Sequence, residues 1–547
     1  MRLGILAVFD KEGIIDRYAV YIARELKKVT ERLVIVCSGE YCGNEIEKLT
    51  CVTDDVYFRS NKGYDSGAYK DAILDYIGWN EFLKYDELIL CNDTFYGPFW
   101  GFEMIFDKMS GNNADFWGLT KHNATDVFPE HVQSYFIVFR RKLIIDPVFR
   151  SFWENLKYPA DYDEARDFFE MAVSTIFPQR GYSFSTYVNE IEENDNKDII
   201  YDGVNWRSFY FTKRLNCPVL KKKRFTLDLQ LSDDIQKIME YIDNCTPYDV
   251  SMIWENVIRS YSLREINNGY HLHRIFSIDQ TAEIITDRQK SSIIAVIDEG
   301  NDFKMYSDII AGLDRVANCS LITCDMSVKQ YMTETHPDIN TVVAERRNNL
   351  FCHILWDAKD LWNGAEYVLF ITNRRKLDLN TQQYIEEMAQ NNVWDNLAFN
   401  KDYVESIISC LDAHGEFGIL YPNNDNMILG SALTPDWEIV NKYKAWISAD
   451  MGISEPLEDV VQEQFSSSCF WVRTSLLQEF IKKYSMISKL EDDGISHEWA
   501  IKSMLPLIAK TNGFLPLVIE NTRYASMMRK KQIQPRIETR IETRIET

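Results

Sequence analysis

Two neighbouring stretches decide the fold: Arg59-Ser-Asn-Lys-Gly-Tyr-Asp-Ser-Gly-Ala-Tyr-Lys70 and Glu87-Leu-Ile-Leu-Cys-Asn-Asp-Thr-Phe-Tyr-Gly-Pro98. The first is an extended run that turns into a helix, with Asp65 at the turn. The second is an apolar strand that ends abruptly in Asn92 and Asp93. Polar side chains at the carboxyl end of a strand in an open α/β sheet lie in the crevice where such sheets bind ligands. The N-terminus of a helix beside them favours the binding of a phosphate group, because it offers free N–H groups and a partial positive charge. The pattern therefore predicts a pocket for a phosphorylated, sugar-like ligand.

Length, composition and charge narrow the class of protein. The chain has 547 residues, too many for one core, and 46% of them are hydrophobic, as in ordinary globular proteins. A formal net charge of −23 excludes general nucleic-acid binding, which requires a cationic surface. The 11 cysteines lack zinc-site spacing and are typical of a reducing cytosol. The first apolar run, residues 3–9, is too short for a signal peptide or a membrane span, so we expect a cytoplasmic protein.

The first part of the chain alternates strand and helix patterns. Apolar runs predict strands at residues 3–9, 33–37, 56–58, 87–91, 116–120 and 133–139. Helical spacing of apolar residues predicts helices at residues 14–29, 66–77 and 163–177. Strand, crossover helix and strand form the βαβ unit, which is almost always right-handed. We therefore predict an α/β domain over residues 1–214.

Two further regions and a tail follow. Residues 215–289 contain helical segments and are predicted to be a helical connector. After it, the order of strand, helix, strand, Arg/Asn-rich turn, helix and strand ending in Asn repeats that of the first part, so we predict a second α/β domain over residues 290–530. Residues 531–547 end in three copies of Arg-Ile-Glu-Thr and are predicted to be a low-complexity tail.

The pattern Asn61-x-Gly63-x-x-x-Gly67 before a helix, with a later strand ending in Asp93, resembles the donor half of GT-A glycosyltransferases. In that fold an Asn-x-Gly turn precedes a helix, and an Asp-x-Asp motif at the end of the fourth strand holds a divalent cation on the nucleotide diphosphate. Several segments also resemble the rhamnan synthesis protein F family of polysaccharide-building enzymes. They run in order through most of the chain, at residues 61–70, 85–98, 115–120, 131–140, 218–225, 248–256 and 469–473.

The resemblance implies a fold class and a set of site residues. The fold would be α/β, with a GT-A-like N-terminal domain, a helical connector and a second GT-A-like domain. The residues that would bind the nucleotide-diphosphate sugar are Asp10, Asn61, Gly63, Asp65, Asn92 and Asp93. Asp93 would also be catalytic, and it would be the ligand of a metal ion, Mg²⁺ or Mn²⁺. Asp10 has an alternative role as a turn or helix cap, and Asn92 has one as a turn residue.

A second carboxylate is needed for the chemistry. Inverting glycosyl transfer requires a base that takes the proton of the acceptor hydroxyl. Glu170 is the candidate because it lies on an amphipathic helix after the last predicted strand, near where GT-A enzymes place their base. The alternative is that Glu170 is an ordinary solvated glutamate on the surface of that helix.

The chain departs from the family pattern in two places. Cys91-Asn92-Asp93 stands where an Asp-x-Asp is expected, so only one carboxylate is available to a metal and dependence on a metal stays open. In the second domain the matching strand ends in Asn373, where family members more often have a histidine- and aspartate-rich run. Because the acid is missing, we predict that this half is a binding or scaffolding domain without catalysis.

One basic run is unusual on so acidic a chain. Lys221-Lys-Lys-Arg224 is either a solvated face or a site that touches anionic lipid or a lipid-linked diphosphate. We interpret it as a peripheral membrane contact at the inner face of the plasma membrane, because a lipid-linked acceptor requires the active site to approach the bilayer.

These features together predict a cytoplasmic glycosyltransferase. The family resemblance implies an inverting rhamnosyltransferase that moves rhamnose from a deoxythymidine-diphosphate donor to a growing, lipid-linked, cell-surface polysaccharide. The first rival is a non-catalytic, tandem-transferase-like protein that binds polysaccharide or organises the other enzymes. A second rival is a phosphotransferase or nucleotidyltransferase, which would need a phosphate-cradling glycine loop that the sequence lacks.

Overall fold

The structure, a computed structural model, describes residues 1–188, 205, 207–227, 235–278, 287–300, 302–347, 350–373, 392–423, 436–455, 468–489 and 494–526. The chain divides into two compact units. The first unit consists of Met1–Val257 with Asn268–Tyr270, and the second consists of Ile258–Asn267 with His271–Thr547. The predicted low-complexity tail, 531–547, lies outside the described residues.

The first unit is built on a central sheet whose inner strands are buried and apolar. The strands of this unit, including those of two small two-stranded sheets, are β1 (Arg2–Phe9), β2 (Arg32–Ser38), β3 (Val56–Arg59), β4 (Glu87–Asn92), β5 (Phe95–Tyr96), β6 (Phe116–Gly118), β7 (Lys121–His122), β8 (His131–Val132), β9 (Phe136–Arg140), β10 (Phe184–Thr186) and β11 (Leu220–Lys221). The main sheet has the order β10-β6-β9-β4-β1-β2-β3. Strand β9 is antiparallel to β4 and β6, and the other pairs of this sheet are parallel.

Helices cover this sheet through their apolar faces. Those that begin before residue 257 are α1 (Arg17–Val29), α2 (Gly43–Thr50), α3 (Tyr64–Asp71), α4 (Trp79–Phe82), α5 (Phe102–Ser110), α6 (Arg141–Ile144), α7 (Pro147–Asn155), α8 (Tyr162–Ala165), α9 (Ala172–Gln179), α10 (Ser208–Arg214), α11 (Ile235–Cys245) and α12 (Ser251–Ser260). Wider π-helical turns follow α3 at Ala72–Tyr76 and α8 at Arg166–Met171. In α1 the side chains of Tyr18, Ile22 and Leu26 are buried, as their three- and four-residue spacing predicts.

The second unit has its own sheet and helices. Its strands are β12 (His273–Phe276), β13 (Ser291–Val296), β14 (Asn318–Thr323), β15 (Asn340–Val343), β16 (Tyr367–Thr372), β17 (Phe417–Pro422), β18 (Phe470–Arg473) and β19 (Leu515–Asn521). The remaining α-helices of the described residues are α13 (Leu263–Tyr270), α14 (Phe303–Leu313), α15 (Met326–Thr335), α16 (Leu350–Cys352), α17 (Lys401–Ala413), α18 (Trp437–Met451), α19 (Thr474–Lys483) and α20 (Gly494–Thr511).

The second sheet repeats the first. Its order is β12-β19-β17-β18-β16-β13-β14-β15. The strands from β19 to β15 match, one for one, the strands from β10 to β3 in their order and direction. Strand β18 takes the place of β9 and, like β9, is antiparallel to both of its neighbours. The predicted α/β fold class, with a sheet of the same strand order in each half, is confirmed.

Two predicted segments can be compared with the structure. The run 133–139 is not one strand, because the Ser134 N–H donates to the Glu170 carboxylate and β9 begins only at Phe136. In the division into two compact units, the residues of the predicted connector 215–289 up to Val257 are grouped with the first unit, and the predicted bounds of the domains stay predictions. Strand β11 pairs with β5, with Leu220 opposite Tyr96, and this pairing ties the start of the connector to the first unit.

The turn that leads into α3 is closely packed. Gly63 has a φ of +76°, which glycine adopts without strain. A Cβ at Gly67 would lie 2.5 Å from the carbonyl oxygen of Lys62 and 3.0 Å from the ring of Tyr158. The hydroxyl of Tyr158 in turn donates to Asp71. The glycine pattern of residues 61–70 is therefore required by the packing of this turn.

We predict that Gly67→Ala lowers the free energy of unfolding by about 1–3 kcal/mol, since a backbone oxygen stands where the methyl group would go. Gly111→Ala is the matched control, because a Cβ there meets nothing within 4 Å and its φ is −81°. Urea unfolding of the two variants and the wild type measures the difference. Equal midpoints for the two variants would show that the turn is loosely packed.

Candidate active site

The candidate site lies at the carboxyl end of β4. Asn92 ends this strand and Asp93 follows it, and their side chains are only 5% and 7% exposed. Strand β4 lies next to β1 in parallel, with Ala7 opposite Asn92, so both strands end at the same edge of the sheet. This edge is where open α/β sheets bind their ligands.

Asn92 links this strand end to the start of α3. Its amide nitrogen donates to Asp65 Oδ2 at 2.6 Å, and its Oδ1 accepts from the Thr94 N–H at 3.1 Å and from the Thr94 hydroxyl at 2.7 Å. The other carboxylate oxygen of Asp65 accepts from the Ser66 N–H at 2.9 Å. Asn92 therefore serves the turn, as its alternative role predicts, and also holds Asp65 against the strand end.

Asp93 lies beside the end of β1. Its Oδ2 accepts from the Tyr18 hydroxyl at 3.2 Å and from the Phe9 N–H at 3.4 Å. The Tyr18 hydroxyl oxygen accepts from Lys222 Nζ at 2.7 Å. A lysine thus reaches Asp93 through one intervening hydroxyl group.

A second lysine reaches Asp65 in a similar way. Lys221 Nζ donates to Thr94 Oγ1 at 2.7 Å, and Thr94 Oγ1 donates to Asn92, which donates to Asp65. The ammonium of Lys221 also lies 4.0 Å from the centroid of the Tyr135 ring. We call the two chains of hydrogen bonds the lysine relays, Lys221–Thr94–Asn92–Asp65 and Lys222–Tyr18–Asp93.

The basic run is not the exposed surface that a membrane contact requires. Lys221 is 9% exposed and Arg224 is 2% exposed, Lys222 is half-buried, and within the run Lys223 alone is exposed. Two of its four cations are buried, so the run does not present the four exposed charges on which the predicted docking to a bilayer relies. Pairing of β11 with β5 turns the run inward, toward the end of β4.

Burial dominates the electrostatics of both aspartates. It raises the pKa of Asp65, opposed by the hydrogen bonds from Asn92 and Ser66. It also raises the pKa of Asp93, opposed by the charge of Lys222 and by the hydrogen bond from Phe9. Each carboxylate is therefore held in a setting that favours its neutral form more than water does.

Glu170 is not a solvated helix residue. It lies in the π-helical turn Arg166–Met171, and its side chain is 20% exposed. Its Oε2 accepts from the Ser134 N–H at 2.7 Å and from the Ser134 hydroxyl at 2.6 Å, and its Oε1 lies 3.3 Å from His131 Nε2. The Glu170 charge also raises the pKa of Asp65, which places Glu170 in the electrostatic field of the same site.

His131 and Glu170 form an ion pair. His131 Nδ1 donates to the Pro129 carbonyl at 2.7 Å, so its Nε2 can donate to Glu170 only when the ring is protonated. Burial lowers the pKa of His131, but the hydrogen bond and charge of Glu170 outweigh it and raise the pKa. Burial raises the pKa of Glu170, and the hydrogen bonds from His131 and Ser134 outweigh it and lower the pKa.

The other predicted site residues, Asp10, Asn61 and Gly63, are not part of the hydrogen-bonded group formed by Asp65, Asn92 and Asp93. Asp10 Oδ1 accepts from the N–H groups of Glu12 and Ile14 at 2.9 and 3.2 Å, so Asp10 has the turn-capping role given as its alternative. The side chain of Asn61 is exposed. Gly63 belongs to the packed turn before α3. The structure therefore brings together Asp65, Asn92 and Asp93, together with two lysines that were assigned elsewhere.

The donor set does not fit Mg²⁺ or Mn²⁺. These ions prefer oxygen ligands and take one or two carboxylates from the protein. Asp93, the predicted metal ligand, already accepts two hydrogen bonds on Oδ2, and the charge of Lys222 acts on it. Asn92, which replaces the first acid of the motif, directs its amide nitrogen at Asp65 and its oxygen at Thr94. The polar atoms at this edge are arranged around ammonium groups.

Among the described residues, one group of three side chains has metal-ligand spacing, and it lies in the second unit. It consists of Asp298, Cys324 and Asp325. Asp325 is paired with the guanidinium of Arg346 at 3.2 Å, and the thiol of Cys324 donates to Asp298 at 3.3 Å. These groups are satisfied by one another.

The two units can be compared at the end of their matching strands. Asp93 accepts from the N–H of Phe9, which lies past the pairing of β1 with β4. Asn373 accepts from the N–H of Asp298 at 2.9 Å, in the same relation to β13 and β16. Asn373 therefore occupies in the second unit the place of Asp93. Its amide nitrogen donates to the Asp298 carbonyl at 3.0 Å, so an amide fits where the first unit has a carboxylate.

No helix of the described residues is long and apolar enough to cross a membrane.

The fold and the site define a class of protein. Two α/β sheets of the same strand order, with buried carboxylates and lysines at the carboxyl edge of the first, place polar side chains where open α/β sheets bind their ligands. The chain belongs to the family described as rhamnan synthesis protein F, whose model matches residues 33–517. Membership supports a sugar-transferring role in polysaccharide synthesis.

Individual relatives are distant. An uncharacterized protein, y4gN, of Sinorhizobium fredii (strain NBRC 101917 / NGR234) is 24% identical over 186 residues, which are 34% of this chain and 48% of that protein. The chain spans less than half the length of the curated relatives that it matches. A cytidylyltransferase from Leptospira borgpetersenii serovar Hardjo-bovis (strain JB197) aligns with 46% of this chain and 100% of its own, at 14% identity and a TM-score of 0.23.

A glucosyl-3-phosphoglycerate synthase from Mycobacterium tuberculosis, in complex with Mn²⁺, uridine diphosphate and glucosyl-3-phosphoglycerate, aligns with 42% of this chain and 70% of its own. Its identity is 10% and its TM-score is 0.20. Structural likenesses this weak say nothing about the activity of this chain.

The His131–Glu170 pair predicts a pH window for stability. Because the folded pKa of Glu170 is lowered, its contribution is present above the unfolded value and is lost as the pH falls. Because the folded pKa of His131 is raised, its contribution is present below the unfolded value and is lost as the pH rises. We expect the coupling between the two residues to be greatest between about pH 4.5 and 6.5.

Urea unfolding of the wild type, Glu170→Gln, His131→Gln and the double variant gives this coupling free energy at pH 5.5 and pH 8.5. The double-mutant cycle removes the effects that each substitution has alone. A coupling of equal size at both pH values would contradict the ion pair.

Proposed function

We propose that the first unit is a glycosyltransferase domain that takes a sugar from a nucleotide-diphosphate donor. The observation that carries this proposal is the pair of lysine relays at the carboxyl edge of the first sheet, which joins cations to Asp65 and Asp93 in one buried site. The family description supports rhamnose as the sugar. On that basis the donor is dTDP-rhamnose and the acceptor is a growing cell-surface polysaccharide on a lipid carrier, at the cytoplasmic face of the membrane.

The roles of the residues follow from their places. Asp65, held by Asn92, orients the donor sugar at the start of α3. Asp93 fixes the position of Tyr18 and Lys222 at the donor. Asp10, Asn61 and Gly63 shape the rim on the nucleotide side. No step requires a metal ion, because the polar groups present do not fit one.

Glu170 is proposed to be the base of an inverting displacement. The acceptor hydroxyl attacks the anomeric carbon, the bond from that carbon to the diphosphate oxygen breaks, and the hydroxyl proton passes to Glu170. Ser134 and His131 hold the carboxylate in one orientation. The lowered pKa of Glu170 makes its carboxylate a weak base before the reaction begins. The acceptor hydroxyl becomes more acidic as its oxygen bonds to the anomeric carbon, so proton transfer to Glu170 must accompany formation of that bond.

The second unit is proposed to be non-catalytic. Asn373 stands where the first unit has Asp93, and its amide is satisfied by the backbone of Asp298. A polysaccharide-binding or scaffolding role fits a repeated fold that has lost this acid. If the first unit also lacks turnover, the whole chain is the non-catalytic rival. A nucleotidyltransferase is not favoured by any group in the described site.

A panel of nucleotide sugars tests the donor. Ligands that bind the native state raise its apparent stability, so thermal unfolding with each donor identifies the one that binds. Release of the nucleoside diphosphate from that donor then measures turnover.

With the donor in hand, Asp93→Asn and Asp65→Asn should each lower turnover at least about 100-fold, as expected for one lost electrostatic or orienting contact. Both variants should remain folded at pH 7.5. The folded pKa of each aspartate is raised, so its ionised form costs stability above that pKa, and an amide removes the cost. Near-normal turnover by both folded variants would refute the site.

Asn373→Ala is the matched variant of the second unit. Loss of its buried hydrogen bonds should lower the free energy of unfolding by about 1–3 kcal/mol, while turnover by the folded protein stays at the wild-type level. A loss of turnover as large as that of Asp93→Asn would show that the second unit also carries out the transfer.

A further inference from the structure

We propose that Lys221 and Lys222 bind the diphosphate of the donor directly and take the place of a divalent cation in this site. The proposal deepens the proposed function and rests on it, because it assumes that the donor lies at the carboxyl edge of the first sheet. It assigns the basic run to the active site, where the sequence alone had suggested a membrane surface.

The backbone positions both lysines. Lys221 lies opposite Phe95 in the pairing of β11 with β5, and the N–H of Lys222 donates to the Thr94 carbonyl at 3.1 Å. The three residues 94–96 follow directly after Asp93. Two consecutive lysines are therefore fixed to the segment that leaves the strand end, independently of how their side chains move.

The ammonium groups of both lysines lie near the carboxyl end of β4. Lys221 Nζ lies 2.7 Å from Thr94 Oγ1 and Lys222 Nζ lies 2.7 Å from the Tyr18 hydroxyl. Each ammonium also lies against an aromatic ring, 4.0 Å from the centroid of Tyr135 and 4.7 Å from that of Tyr18. These contacts partly repay the cost of removing an ammonium group from water. An ammonium has three N–H donors, so the bond from Lys222 to Tyr18 leaves it able to bind phosphate oxygens.

The charges of the two relays can be compared with those of a metal site. The two relays hold two lysines and two aspartates, so their formal charges sum to zero when both carboxylates are ionised. A metal site at a strand end uses acids to hold the cation that neutralises the diphosphate. Here the first acid is replaced by Asn92, and the cations are part of the chain.

The same balance predicts how binding depends on pH. A diphosphate brings further negative charge next to Asp65 and Asp93, whose pKa values burial already raises. The anion favours protonation of these carboxylates, so binding should take up protons. Affinity should therefore increase as the pH is lowered toward their folded pKa values, until the diphosphate itself is protonated.

The test uses the full chain, dialysed against EDTA, and inorganic pyrophosphate as the probe. Isothermal titration calorimetry should detect binding without any divalent ion. Lys221→Met and Lys222→Met should each weaken it about 10-fold or more, since each removes a charge-assisted hydrogen bond. Lys223→Met is the matched control, because this neighbour in the same run is exposed, and its affinity should equal that of the wild type.

Lys221→Arg and Lys222→Arg keep the charge, and they separate loss of the cation from loss of the fold. They should bind pyrophosphate more tightly than the methionine variants do. Binding that appears only with Mg²⁺ or Mn²⁺ would overturn the proposal, and so would an equal loss of affinity in the Lys223 variant.

Turnover of nucleotide sugars by the same EDTA-treated samples separates this proposal from the proposed function. Turnover that requires added Mg²⁺ or Mn²⁺ and survives in the methionine variants would leave the glycosyltransferase standing and refute the lysine site. Lysine-dependent binding of pyrophosphate without turnover of any nucleotide sugar would support the lysine site and refute the assigned reaction.

Discussion

The pairing of β11 with β5 is the interaction on which the candidate site depends. It joins residues more than 120 positions apart, through two backbone pairs and the bond from the Lys222 N–H to the Thr94 carbonyl. Without it the end of β4 would present two buried aspartates and an asparagine without the ammonium groups of Lys221 and Lys222. With it, Asp93 is linked to Lys222 through the Tyr18 hydroxyl, and Asp65 is linked to Lys221 through the Asn92 amide and the Thr94 hydroxyl, so that buried charges of opposite sign stabilise each other. The segment that carries β11 belongs to the first unit, which extends through Val257.

The internal repeat shows what this arrangement adds to a shared fold. Both sheets have the same order and directions from the edge strand inward, and both place a polar residue just beyond the matching strand. In the second unit that residue is Asn373, whose side chain accepts from the N–H of Asp298 and donates to the carbonyls of Asp298 and Gly300. In the first unit it is Asp93, whose partners are a tyrosine hydroxyl and, through it, a lysine. The amide completes a backbone turn, whereas the carboxylate is linked through the Tyr18 hydroxyl to the ammonium group of Lys222.

Much of the fold follows from sequence patterns. The strands that begin at Arg2, Arg32, Val56 and Glu87 are continuous apolar runs, and such runs between helices predict a parallel sheet. The nearness of Asp65 and Asn92 also follows, because a helix start and a strand end meet at the same edge. Other features depend on distant contacts. The break between β8 and β9 arises from the bonds of Ser134 to Glu170, a residue 36 positions away.

The basic run shows this limit most clearly. Four consecutive cations on an acidic chain indicate a solvated or lipid-facing surface, because lysine is rarely buried. Its burial depends on β5, which is two residues long and gives no periodic signal. The signal that was present is Pro218-Val-Leu-Lys, since apolar residues directly before the lysines allow a strand to enter the core.

The most direct measurement is a crystal structure of the full chain with the nucleoside diphosphate that stabilises it, grown in EDTA. The account predicts electron density for the diphosphate at the carboxyl end of β4, with Lys221 and Lys222 Nζ about 3 Å from its oxygens and no metal ion between them. Density for the diphosphate in the second unit, beside Asn373, would contradict the account. It would also be contradicted if the diphosphate appeared only in crystals grown with Mn²⁺, with a metal ion between it and Asp93.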